Sequence, residues 1–104
     1  MTYDPRLKSP EVDRLFDAML TLKNRDECYR FFYDLCTVRE IRSMSQRLQA
    51  AELLNEGVTY EAIERATHMS SATVSRIKRF LEFGADGYGL VLSRLPERQA
   101  PADK

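Results

Sequence analysis

The stretch from Thr59 to Phe83, TYEAIERATHMSSATVSRIKRFLEF, constrains the fold of this chain more than any other segment. It is typical of a short helix, a tight turn at residues 67–69 and a second helix that begins after a serine. The hydroxyl groups of Thr59 and Ser70 are suited to cap the two helices. Apolar residues recur at helical spacing and are expected to face the core: Ile63 and Ala66 in the first helix, and Val74, Ile77, Phe80 and Leu81 in the second. The segment therefore predicts a helix-turn-helix, which places its second helix in the major groove of DNA.

The outer face of that second helix carries small, polar and basic side chains: Ser71, Ala72, Ser75, Arg76 and Arg79. Small and polar side chains can approach base edges closely, and arginines can reach phosphates or guanine. Lys78 adds to the basic cluster at the flank. The alternative is a plain helical hairpin whose second helix exposes a solvated basic face.

Composition limits the classes of protein to consider. With 104 residues and 43% hydrophobic content, the chain is one globular domain, small for an enzyme with a deep pocket. The 16 basic and 16 acidic residues cancel, whereas a nucleic-acid binder usually has a basic excess. Local basic charge on one helix implies weak binding per subunit, which favours a dimer. The neutral charge and the acidic first helix of the motif also favour an alternative, a protein-interaction module of the transcription machinery that does not read DNA sequence.

Helix-start residues divide the preceding sequence into three more helices. Caps are predicted at Ser9, Asn24 and Thr37, the last in a capping box with Glu40. The third helix is expected to run to about Asn55. The apolar stripes of the three helices contain Val12, Leu15, Phe16, Met19 and Leu20; then Cys28, Phe31, Phe32, Leu35 and Cys36; then Ile41, Met44, Leu48, Ala51 and Leu54. This apolar surface is either an ordinary core or, in part, an interface with a second copy of the chain.

The ends of the chain are expected to be less ordered. Residues 1–8 are predicted to be a flexible arm and residues 96–104 a disordered tail, which leaves residues 9–95 as the helical domain, with its helix-turn-helix at 59–83. The run GADGYG is interpreted as a flexible link, and residues 88–95 as a last short helix. No strand pattern of useful length is present, so the predicted fold class is all-α.

The sequence favours a cytoplasmic protein without membrane contact or metal. No apolar run approaches the roughly 20 residues of a membrane span, and the start lacks a signal-peptide core. Cys28 and Cys36 would lie about 12 Å apart along one helix, too far for a disulfide. We therefore expect two buried free thiols. No nucleophile, base and orienting group recur at a recognisable spacing, so an enzyme is not predicted.

The runs LCTVREIRSMSQRLQAAELLNEG and SSATVSRIKR resemble the Trp repressor superfamily, and most closely its YerC/YecD-type branch. The resemblance extends from about residue 10 to about residue 92. It implies an intertwined all-helical homodimer that binds double-stranded DNA at an operator and regulates transcription, with repression as the expected mode. By position it implies that Ser71, Ala72, Thr73 and Ser75 read bases. The full set of expected DNA-binding residues is Ser70, Ser71, Ala72, Thr73, Ser75, Arg76, Lys78 and Arg79.

The same resemblance implies an effector pocket lined by Thr37, Arg47 and Arg76. Ile77 and Phe80 stand where Trp repressor has a glycine and a serine. Two bulky apolar groups would fill the space of an indole ring, and a phenylalanine cannot hydrogen-bond a carboxylate. These departures argue against tryptophan as a ligand, and no cofactor is predicted. The alternatives are that tryptophan or another small effector binds there, or that Arg47 and Arg76 are surface or phosphate-contacting residues.

Overall fold

The protein is described by a computed structural model covering residues 3–96. Six α-helices and one short 3-10 turn, Pro5–Leu7, lie in this part of the chain, and none of these residues forms a strand. The helices are α1 (Pro10–Met19), α2 (Arg25–Leu35), α3 (Val38–Asn55), α4 (Tyr60–Thr67), α5 (Ser71–Phe83) and α6 (Gly87–Arg94). The predicted all-α class is confirmed.

Five of the helices begin at the caps that the sequence predicts. The side chains of Ser9, Asn24, Thr37, Thr59 and Ser70 each accept a hydrogen bond from the backbone N–H three residues later. Such bonds satisfy N–H groups that a helix start leaves without a partner. The capping box is complete, since the N–H of Glu40 donates to Thr37 Oγ1 at 3.1 Å and the N–H of Thr37 donates to Glu40 Oε1 at 2.8 Å.

The buried core lies in the carboxyl-terminal half of the chain. It brings together three helices through Ala50 and Ala51 of α3, Ile63 of α4, and Val74 and Ile77 of α5. Small alanines on α3 let α4 and α5 approach closely. The core therefore fixes α5 relative to α3 and α4, with Tyr88 of α6 packed against its edge.

The amino-terminal half is packed much less. No residue of α1 or α2 is buried, and the apolar stripes predicted there are only partly covered: Phe31 and Phe32 are half-buried, whereas Leu20 exposes 83% of its surface and Leu35 exposes 52%. Cys28 is exposed and Cys36 half-buried, so the expectation of two buried thiols is wrong for a single chain, although both are free. The reason is that α2 contacts only α3 substantially among the described helices, and nothing covers its opposite side.

Two further expectations need correction. Thr67, not Ala66, is the second buried residue of α4, and its hydroxyl donates to the carbonyl of Ile63 at 2.7 Å. The turn of the motif is consequently residues 68–70. The last helix begins at Gly87, inside the run interpreted as a flexible link. The predicted tail beyond Pro96 lies outside the described residues.

Candidate nucleic-acid interface and adjoining cleft

A short left-handed turn connects α4 to α5. His68 has φ 60° and ψ 22°, and its N–H donates to the carbonyl of Glu64 at 2.8 Å. This conformation ends α4 and redirects the chain into α5 within three residues. Ser70 then caps α5, with its hydroxyl oxygen 3.2 Å from the N–H of Thr73 and 3.1 Å from Thr73 Oγ1. The turn and the cap together set where α5 begins.

Two buried side chains hold α5 against the core. Val74 is fully buried and Ile77 exposes 4% of its surface. The face opposite these residues is exposed and contains Ser71, Ala72, Ser75, Arg76 and Arg79. The small side chains come first on this face, at positions 71, 72 and 75, and the arginines follow them. A helix of this kind can enter a major groove with its amino-terminal end and present cations to the phosphates beside it.

Two other predicted DNA-binding residues of α5, Thr73 and Lys78, are less available for contact with DNA. Thr73 is half-buried, because its side chain turns towards the cap and towards a cleft beside α5. Lys78 is half-buried and lies 3.6 Å from Glu82, an i, i+4 ion pair on the surface of α5. Arg76 and Arg79 are in none of the ion pairs among residues 3–96. They are therefore the cations of α5 that are free to contact phosphate.

A cleft of about 600 Å³ lies between α3, α5 and α6. Both Arg47 and Arg76 border it, so the structure brings these two predicted pocket residues together. Thr37 does not border it within one chain, because it caps the far end of α3. The lining is otherwise mainly apolar or small: Leu48, Thr73, Ile77, Phe80, Gly84, Ala85, Gly87, Tyr88 and Val91.

Phe80 lies on this cleft and not in the core. It exposes 58% of its surface, so the expectation that it faces the core is wrong. Ile77 and Phe80 both line the cleft, so the two residues expected to occupy an indole space lie at this site. An apolar hollow bordered by two guanidinium groups is suited to an apolar molecule with an anionic group.

Sequence reasoning missed the contribution of α6 to the cleft. Gly87, Tyr88 and Val91 border it, and Asp86 has φ 64°, which turns the chain so that α6 lies against α5. The local signals here, a glycine pair and an aspartate tolerant of the left-handed region, are also typical of a flexible link.

Among residues 3–96, no set of side chains is arranged to hold a metal ion, and no helix has the length and apolar character of a membrane span.

Comparison with known proteins agrees with this geometry. The profile of the Trp repressor protein family matches residues 10–96. The uncharacterized protein YerC of Bacillus subtilis is 50% identical over 94 residues, which are 90% of each chain. The crystal structure of a candidate Trp repressor from Staphylococcus aureus has a TM-score of 0.84 and 50% identity, over 91% of this chain and 95% of that one.

A second solved structure, a TrpR-like protein from Eubacterium eligens, has a TM-score of 0.87 and 45% identity, over 93% of this chain and all of that one. The fold, the sequence and the helix-turn-helix thus all indicate the same family, over nearly the whole chain. The chain belongs to the Trp repressor family, a family of DNA-binding regulators and not of enzymes, and within it to the YerC type.

Proposed function

We propose that this protein is a sequence-specific DNA-binding transcriptional regulator, a repressor, that acts as a homodimer. The observation that carries the proposal is the α4–turn–α5 unit, in which a rigidly capped helix exposes serines, an alanine and two unpaired arginines. The amino-terminal end of α5 enters the major groove. There Ser71, Ala72 and Ser75 approach the bases, directly or through water, while Arg76 and Arg79 hold phosphates.

Dimerisation is supported by the exposed amino-terminal half. Phe16 of α1, Leu20 directly after α1 and Leu35 of α2 are apolar and exposed, and the aromatic rings of Tyr29 and Tyr33 are exposed as well. Several large apolar side chains exposed in one half of a protein that functions in water are typical of an interaction site. The radius of gyration is 15.2 Å, larger than the roughly 13 Å of a compact domain of about 100 residues. A second copy covering these helices would bury their apolar faces and pair two recognition helices about 34 Å apart.

The test is selection of bound DNA from a random pool at near-physiological salt with the wild-type chain, Arg76→Ala and Arg14→Ala. Arg14 is an exposed arginine on α1 and serves as the matched control. We expect the wild type and Arg14→Ala to enrich the same near-palindromic site, and Arg76→Ala to enrich it weakly. Absence of enrichment by folded wild-type protein, with and without added amino acids, would contradict the proposal and favour the protein-interaction module.

A further inference from the structure

Helix α4 carries a carboxylate beside the proposed DNA-binding surface. Glu61 is the second residue of α4 and is exposed. It is absent from the ion pairs that occur within residues 3–96. Glu64, one turn later, is half-buried and is likewise in none of them. The carboxylate of Glu61 therefore forms no ion pair in this part of the chain, and the nearest cation on its face of α4 is Arg65, one turn later.

The orientation of α4 directs this charge away from the core. Ile63 is fully buried with Val74 and Ile77 of α5. Residues two apart on a helix are separated by about 200° around its axis, so Glu61 lies on the opposite face from Ile63. When α5 of a helix-turn-helix lies in the major groove, the preceding helix crosses the DNA backbone. The outward carboxylate at the start of α4 then lies near phosphates.

A carboxylate near phosphates opposes binding to DNA of any sequence, because the phosphate backbone is the same everywhere. The rest of the chain does little to offset this, since its formal net charge is zero and α5 has only Arg76 and Arg79 as unpaired cations. We infer that Glu61, reinforced by Glu64, limits the sequence-independent affinity of this protein for DNA. A stable complex then depends on base contacts made by α5. This inference rests on the proposed function.

The experiment measures the dissociation constants of wild type, Glu61→Gln and Glu11→Gln for two duplexes of equal length, the selected site and a sequence without it. Glu11 is the matched control because it is also exposed and also the second residue of its helix, α1. The two substitutions therefore remove the same charge from the same helical position.

We expect Glu61→Gln to bind both duplexes more tightly, by about two- to threefold per half-site and so roughly sixfold for a dimer, as two unit charges about 8 Å apart in water imply. The gain should shrink as salt is raised, because added ions screen the repulsion. Glu11→Gln should bind as the wild type does, and Glu61→Gln with Glu64→Gln should gain further.

Three results would overturn the inference. If Glu61→Gln matches the wild type on both duplexes at low salt, the carboxylate is too far from the phosphates to matter. If it weakens binding to the selected site alone, Glu61 accepts a hydrogen bond from a base and does not act by repulsion. If the wild type and Glu61→Gln, both folded, bind neither duplex, the proposed function fails, and this inference fails with it.

Discussion

At the scale of single residues, a comparison of Gly57 with Gly87 distinguishes the effect of backbone conformation from the effect of the space available to a side chain. A Cβ built at either glycine meets no atom within 4 Å, but Gly57 has φ 85° whereas Gly87 begins α6. We expect Gly57→Ala to lower the free energy of unfolding by about 1–2 kcal/mol, the cost of the left-handed region for a residue with a Cβ. We expect Gly87→Ala to raise it by about 0.5 kcal/mol, through lower entropy of the unfolded chain.

Urea unfolding of the two variants and the wild type, at one protein concentration, checks this pair. Equal effects of the two substitutions would show that the φ angle of Gly57 does not determine the loss of stability.

The residues that the sequence places correctly are those governed by local rules, above all the helix caps. It misplaced Ala66 and Phe80, because the burial of a side chain depends on which helix packs opposite, and helical periodicity does not contain that information.

At the scale of helices, the capping box of α3 predicts a dependence on pH. The backbone N–H and the side chain of Thr37 hydrogen-bond to the Glu40 carboxylate and hold its pKa below its usual value of 4.5. A lowered folded-state pKa stabilises the fold above the unfolded pKa, and this stabilisation is lost as the pH falls through the folded pKa. We therefore expect the wild type to exceed Glu40→Gln in stability at neutral pH and the difference to close below pH 4.5.

Thr37→Ala provides the contrast for this prediction. It removes the hydroxyl that accepts from the N–H of Glu40 and should cost about 1 kcal/mol, in a manner that depends less on pH. Thermal unfolding between neutral and acidic pH measures both variants. A Glu40→Gln deficit that persists unchanged at acidic pH would show that the charge of Glu40 contributes nothing.

The bounds of α3, α4 and α5 could be predicted closely, because caps and glycines mark them. The start and position of α6 could not. Asp86 caps α6 without a side-chain hydrogen bond, and it adopts a left-handed backbone in the turn that packs α6 against α5. The cleft depends on that packing, so its lining beyond Arg47, Arg76, Ile77 and Phe80 was not predictable from local signals.

At the scale of the whole molecule, the exposed apolar residues of α1 and Leu20 directly after it predict a dimer that one substitution can disrupt. Leu20 exposes 83% of its surface in the single chain, so a charge at this position costs little in an isolated subunit. In a dimer interface, the same charge would be buried without a partner. We expect the wild type to have twice the chain mass of 12.1 kDa in sedimentation equilibrium and Leu20→Glu to have the single-chain mass or to dissociate more readily.

Lys23→Glu, an exposed change beyond α1, is the control and should leave the dimer intact. A wild-type mass of 12.1 kDa at all concentrations would contradict the dimer.

Sequence alone could not decide whether the apolar stripes of α1 and α2 form a core or an interface. The stripes are not part of the buried core, whose apolar residues lie between Ala50 and Ile77, and the proposed dimer would cover them.

The distribution of charge over such a dimer predicts how its DNA affinity depends on salt. Each α5 has two unpaired cations, Arg76 and Arg79, while Lys78 is held 3.6 Å from Glu82. Four phosphate contacts per dimer give a slope of log K against log salt of about −3.6, because each contact releases condensed counterions. Arg79→Ala should reduce the slope to about −1.8, since a symmetric dimer loses two contacts. Fluorescence anisotropy with the selected duplex over a salt series measures both slopes. A wild-type slope near −5.4 would mean that Lys78 leaves Glu82 to bind phosphate, and Lys78→Ala would then reduce it to the value expected for the arginines alone.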